Sequence, residues 1–180
     1  MRAAIAIACV LAASGGAAHA DDADGDGVYD NAVSLQVTSL GTTRAAAQYE
    51  RDLDARKLSL AIGAGVRTAA MGDYGSFTLG AGLELRRWFG RRATMRGWYG
   101  AVRLDAGRTV VEEETEDRRV GSMWTVSSSL ALGYRFVFWD RVELTPSLGL
   151  SAVAEGGMDG RSPWTGRGAG LVGLTAGAMF

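Results

Sequence analysis

Histidine and cysteine are almost missing from this chain. It has one of each in 180 residues, His19 and Cys9, and both fall in a stretch that reads as a removable export signal. Residues 1–20 run MRAAIAIACVLAASGGAAHA. Arg2 makes a positive start, residues 3–13 form an apolar run, and Ala18-His19-Ala20 is a small-x-small cleavage site. The run is shorter than the ~20 residues of a membrane-spanning helix. Cys9 comes before the apolar run is complete, and Ala6 stands where a lipid-attachment signal has Leu, so lipidation does not fit. A chain starting at Asp21 would hold no thiol and no imidazole. That excludes disulfides, His–metal sites and His-based acid–base chemistry. Lysine is scarce too, with Lys57 alone among 19 basic residues. The formal charge of −1 leaves no basic footprint for nucleic acid. Beyond residue 20, no 18 apolar residues run together, so no helix is expected to cross a membrane.

Proline occurs only twice, whereas glycine occurs 26 times, about double the usual ~7%. That balance favours a curved sheet over a helical bundle, because Gly eases bending and close strand approach. The length suits one domain. We read residues 1–20 as signal peptide, 21–31 as an acidic N-terminal tail and 32–180 as one all-β unit.

From residue 32 onward the chain alternates with a period of two. Eight segments follow this beat: 33–40, 44–53, 58–67, 76–87, 97–107, 122–136, 142–153 and 167–180. In the third, Leu58, Leu60, Ile62, Ala64 and Val66 oppose Ser59, Ala61, Gly63, Gly65 and Arg67. Every segment has one apolar face and one small, polar or charged face. The interior of an eight-stranded barrel has limited room, so the small and charged face is expected inside. The branched aliphatics then face lipid, where Arg or Lys would cost roughly 2–4 kcal/mol at the midplane. Segment lengths match a tilted transmembrane strand of ~9–11 residues. With both ends of the chain on the periplasmic side, the inner connections are 54–57, 87–96 and 137–141. The outer ones are 41–43, 68–75, 108–121 and 154–166. Trp88, Trp98 and Trp139, with Phe180, are expected in an inner aromatic girdle, and Trp124 and Trp164 in an outer one.

The last nine residues, VGLTAGAMF, put Val172, Leu174, Ala176, Ala178 and Phe180 on one face and stop on the aromatic. With the export signal and the eight alternating segments, this resembles the small bacterial outer-membrane β-barrels of the OmpA/OmpX type. The resemblance implies an eight-stranded antiparallel up-and-down transmembrane barrel in the outer membrane of a Gram-negative cell. It also implies contact with membrane lipid and lipopolysaccharide, and recognition of Phe180 by the barrel assembly machinery.

The inward-facing charges are the main site candidates. Glu50, Asp52, Glu84, Arg86, Arg135 and Glu143 are expected in the periplasmic half, with Arg67, Arg103 and Asp105 higher. With both signs present, they could form a salt-bridge plug, a gate on a narrow ion path, or a catalytic carboxylate pair. Asp22, Asp24, Asp26 and Asp30 resemble Asp-rich calcium loops such as thrombospondin type 3 repeats. A solvated acidic tail is the preferred reading of the same residues, with calcium the lesser alternative, so no cofactor is assigned. The acidic run 112–117 reads as a solvated outer loop, or as a cation-bridged contact to lipopolysaccharide. The leading function is a non-enzymatic envelope or surface-contact barrel. A lipid-modifying outer-membrane enzyme and a soluble periplasmic ligand-binding barrel are the alternatives.

Overall fold

A computed structural model describes residues 30–39, 43–53, 57–71, 74–89, 95–113, 118–139, 141–157 and 164–180. Eight strands form one closed barrel: β1 (Asn31–Ser39), β2 (Thr43–Asp52), β3 (Leu58–Met71), β4 (Tyr74–Trp88), β5 (Gly97–Glu113), β6 (Arg118–Phe138), β7 (Val142–Gly157) and β8 (Thr165–Met179). Each strand pairs antiparallel with its neighbour in sequence, and β1 pairs with β8 to close the sheet. Phe180 lies just past β8 and still takes part in closure. It exchanges two backbone hydrogen bonds with Asn31, at 2.9 and 3.1 Å.

The register sets the shape. A row of paired residues leaves β8 at Ala176 and passes through Leu35, Ala47, Ala64, Ala81, Ala106, Val126 and Ala154. It returns to β8 at Gly166, displaced by ten residues. With a rise of about 3.3 Å per residue and about 4.8 Å between strands, this shear tilts the strands by about 40°. Pro146 has no N–H to give, and the β6–β7 register skips the two positions facing Thr145 and Pro146.

The faces are the reverse of a water-soluble barrel. Ser34, Gln48, Glu50, Arg86, Arg103 and Thr145 are buried inside, while Leu79, Leu104, Leu130, Leu148 and Leu150 are exposed on the outer wall. A continuous apolar surface of this kind needs a hydrocarbon surrounding. A small apolar cluster lies at the end of the lumen where β1 begins and β8 ends, built from Ala32, Trp88, Met95, Tyr99, Ala101 and Met179.

Two expectations change. First, β3, β5, β6 and β7 run past their expected outer ends, to Met71, Glu113, Arg118 and Gly157. Backbone pairing above the membrane needs no apolar face, so alternation stops before the ladder does. The connection expected at 108–121 is therefore mostly hairpin, with Glu112 opposite Arg119 and Glu113 opposite Arg118; residues 114–117 lie outside the described residues. Second, Trp88 is not in the inner girdle. It follows Glu84 and Arg86 on the inward face and is only 2% exposed. Met179 has inward parity at the end of β8. It is buried in the same apolar cluster as Trp88.

Candidate functional site: the charged barrel interior

Strand parity aims the interior side chains and the shear decides which of them meet. On β2 the inward positions are Arg44, Ala46, Gln48 and Glu50. On β4 they include Glu84, Arg86 and Trp88, and on β5 Tyr99, Ala101, Arg103 and Asp105. These residues form one chain of alternating charge that climbs the lumen. At the bottom, Glu143 lies 2.7 Å from Arg135 Nε. Arg135 also pairs with Glu50. Glu50 accepts from Arg86 Nη1 at 2.7 Å and from the Ser59 hydroxyl. Arg86 Nε donates to Glu84 at 2.5 Å, and Glu84 accepts from Arg103 at 3.1 Å. Arg103 Nε donates to Asp105 at 2.9 Å. At the top, Arg44 donates to both oxygens of Asp105, at 2.6 and 2.9 Å.

Four carboxylates thus alternate with four guanidiniums along this chain. Polar and aromatic groups pack around it. Arg103 Nη1 also donates to Gln36 and Gln48, at 2.9 and 3.3 Å. Arg135 lies 4.7 Å above the Trp88 ring, and Arg86 5.0 Å above Tyr99. The Trp88 indole N–H donates to Ser59 at 3.0 Å. Tyr99 lies over Gly133, where an added Cβ would collide with its ring. Gly82 leaves the room that the Asp105 carboxylate occupies.

The other expected residues sit apart from this chain. Arg67 is half-buried above it and donates to Ser127 at 3.4 Å. Asp52 is half-buried at the C-terminal end of β2, where its backbone N–H donates to the Asp30 carbonyl at 2.7 Å. Asp30 itself is exposed, and Asp22, Asp24 and Asp26 lie outside the described residues. Among the described residues, no group of three or more acidic, His or Cys side chains could hold a metal ion. Trp98, Trp124, Trp139, Trp164 and Phe180 are all exposed on the outer wall or at its ends. An added Cβ at Gly156, which faces Trp124 across the ladder, would meet the Trp164 ring.

Sequence reasoning missed Arg44, the residue that caps the chain, although it shares inward parity with Gln48 and Glu50. It also missed Tyr99 and Ser59, whose roles depend on contacts across the lumen.

The interior divides into two sides. Strands β2, β4, β5 and β6 carry seven of the eight charges of the chain, and Glu143 at the foot of β7 is the eighth. The β7–β8–β1 wall carries Ser34, Thr145, Ser147, Thr175 and glycines. The Ser34 and Thr145 hydroxyls are buried and find no protein partner among the described residues.

No protein-family model and no curated protein matches this chain. Solved structures do resemble it. The N-terminal β-barrel domain of Pseudomonas aeruginosa OprF aligns with a TM-score of 0.53 at 14% identity, over 84% of this chain and 98% of that one. A major outer membrane protein from Thermus thermophilus aligns with a TM-score of 0.47 at 11% identity, over 83% of this chain and 99% of that one. The likeness to the OprF domain is one of fold: this chain has the closed eight-stranded architecture of small outer-membrane barrels of the OmpA/OmpX type.

Proposed function

We propose that this chain is an exported, non-enzymatic barrel of the outer membrane, with a plugged interior and an envelope-structural or surface-contact role. The observation that carries this reading is the charge-compensated interior inside an apolar wall. Glu50, Glu84, Asp105 and Glu143 each lie against a guanidinium, so these interior charges are spent on one another as ion pairs. Its partners are then membrane lipid, lipopolysaccharide at the outer rim and the assembly machinery at Phe180. Fractionation with a heat-modifiability gel tests the reading: the protein should sit in the outer-membrane fraction and migrate faster unheated than heated. Soluble periplasmic protein would refute it. Mass analysis of the exported protein should give Asp21 as its first residue.

A narrow ion path is the second reading, favoured by the unpartnered hydroxyls of the β7–β8–β1 wall. Planar-bilayer recording separates the two. A plug gives little or no steady conductance, because side chains fill an interior of this size. Porin-sized steps from pure protein would refute the plug.

Phe180→Ser and Met179→Ser should fail differently. Phe180 is on the outer wall, so its loss should lower the yield of heat-modifiable protein in outer-membrane fractions. Met179 is in the closed cluster, so its loss should permit insertion and lower stability, by about 2–5 kcal/mol for a large-to-small core change. Equal yields for wild type and Phe180→Ser would remove the terminal aromatic as an assembly signal.

A further inference from the structure

Above the ion-pair chain the lumen holds a cation that no carboxylate answers. Arg44 and Arg103 share Asp105, and Glu155 holds Arg167 at 3.0 Å. Among the described residues, no carboxylate lies within ion-pair distance of Arg67. Its guanidinium donates to the Ser127 hydroxyl across the lumen, and at 3.4 Å that bond is long. A guanidinium has five N–H donors, so most of its capacity is unused. The side chain is half-buried.

The wall around Arg67 is built from hydroxyls. Arg67 directly faces Thr78 of β4, and Thr78 faces Thr109 of β5. The Thr109 hydroxyl lies 2.7 Å from that of Thr78 and 2.6 Å from that of Thr125. Three hydroxyl protons serve two bonds in this row, so one proton remains to donate. Ser127 accepts from Arg67 and keeps its own O–H proton. Thr125 and Ser127 are only 4% and 7% exposed. A cavity of about 30 Å³ lies among these groups, lined in part by Arg67, Thr78, Thr125 and Ser127. That is room for one group of about the size of a water molecule. The row beneath Arg67, Thr78 and Thr109 is Gly65, Gly80 and Gly107, which puts no side chain into this space. Asp105 also lines the cavity, but its charge is answered. Its two oxygens accept from Arg44 at 2.6 and 2.9 Å, and Arg103 Nε donates to it at 2.9 Å.

We propose that this cavity binds one small anion of halide size, held by the Arg67 guanidinium and the hydroxyls of Thr125 and Ser127. The chemistry selects the sign. What the site has to offer is one guanidinium and hydroxyl protons. A water molecule would meet the hydroxyls and leave the cation unbalanced, whereas an anion answers both. The volume selects the size, because a tetrahedral oxyanion is larger than the cavity. The inference goes beyond the plug reading: the anion sits above the ion-pair chain and needs no passage through it.

The test is a chloride titration of the folded protein in zwitterionic micelles, followed by the chloride NMR line width. Wild type should broaden the line beyond protein-free micelles, and bromide should displace the effect. Arg67→Gln should bind chloride about tenfold more weakly, the scale of one lost charge-assisted hydrogen bond. The double variant Thr125→Val, Ser127→Ala keeps every charge and should weaken binding by a similar factor. Arg51→Gln, an exposed cation on β2, should leave it unchanged. Heat-modifiability gels check that each variant is folded. A bromide-soaked crystal of the wild type gives a measurement that needs no variant: its anomalous signal should lie beside Arg67. No excess broadening by wild type, binding that survives the hydroxyl variant, an equal loss in Arg51→Gln, or water alone beside Arg67 in the bromide crystal would overturn the site.

Discussion

Glu50→Gln should destabilise the folded barrel by about 3–5 kcal/mol, the cost of removing one partner from a buried ion pair. Glu50 is fully buried and joins two guanidiniums, Arg86 and Arg135, that are themselves fully buried. The amide keeps the shape and can still accept from Ser59, so the lost quantity is charge. Two cations would then share an interior with less negative charge to balance them. Glu155→Gln is the comparison. Its partner Arg167 sits at 3.0 Å near the outer mouth, and both side chains are partly exposed. Such a pair is worth about 0–1 kcal/mol. Urea unfolding in lipid vesicles reads both variants. Equal small losses would mean that the interior ion-pair chain contributes little to stability.

Leu148→Arg should cost about 2–4 kcal/mol in a bilayer, because it puts a cation on the lipid face near the midplane. Leu148 is 64% exposed and lies well above the periplasmic end of β7. A fair companion is an inward residue with space around it. Ser147 is not one: it is buried, and a Cβ built at Gly173 would lie 2.6 Å from its hydroxyl. Ser151 is only half-buried on the inward face of the same strand, facing Ala169 of β8 and two positions below Glu155 on that face. Ser151→Arg should therefore be the milder change. Unfolding titrations in the same vesicles compare the two, and equal losses would mean that the faces are assigned the wrong way round.

Much of the fold was legible because a membrane barrel imposes a strict local rule. Each strand must offer an apolar face to hydrocarbon, and side chains alternate in or out residue by residue. The eight segments, their faces and the inward charges could be read from that rule. The outer strand ends could not, because pairing continues where hydrocarbon no longer demands alternation. Trp88 is a different case. Its parity with Glu84 and Arg86 was visible, and the usual preference of Trp for a girdle pointed the other way. Inside, its indole N–H finds Ser59 and its ring faces Arg135.

Two of the pairings, Arg86 with Glu84 and Arg103 with Asp105, join next neighbours on one face of a single strand, but the others were not written in any one strand. Arg135 and Glu50 are 85 residues apart, and Arg103 reaches Gln36 across 67. Period-two alternation sets which face a side chain is on, and it is a property of neighbours in the chain. Height in the lumen, and so partner choice, follows from the ten-residue displacement of the closed sheet and from the narrowness that lets opposite walls touch. Those belong to all eight strands together. Local alternation therefore made an apolar-walled barrel with mixed charge inside. Closure and shear arranged that charge as a continuous ladder from Glu143 to Arg44.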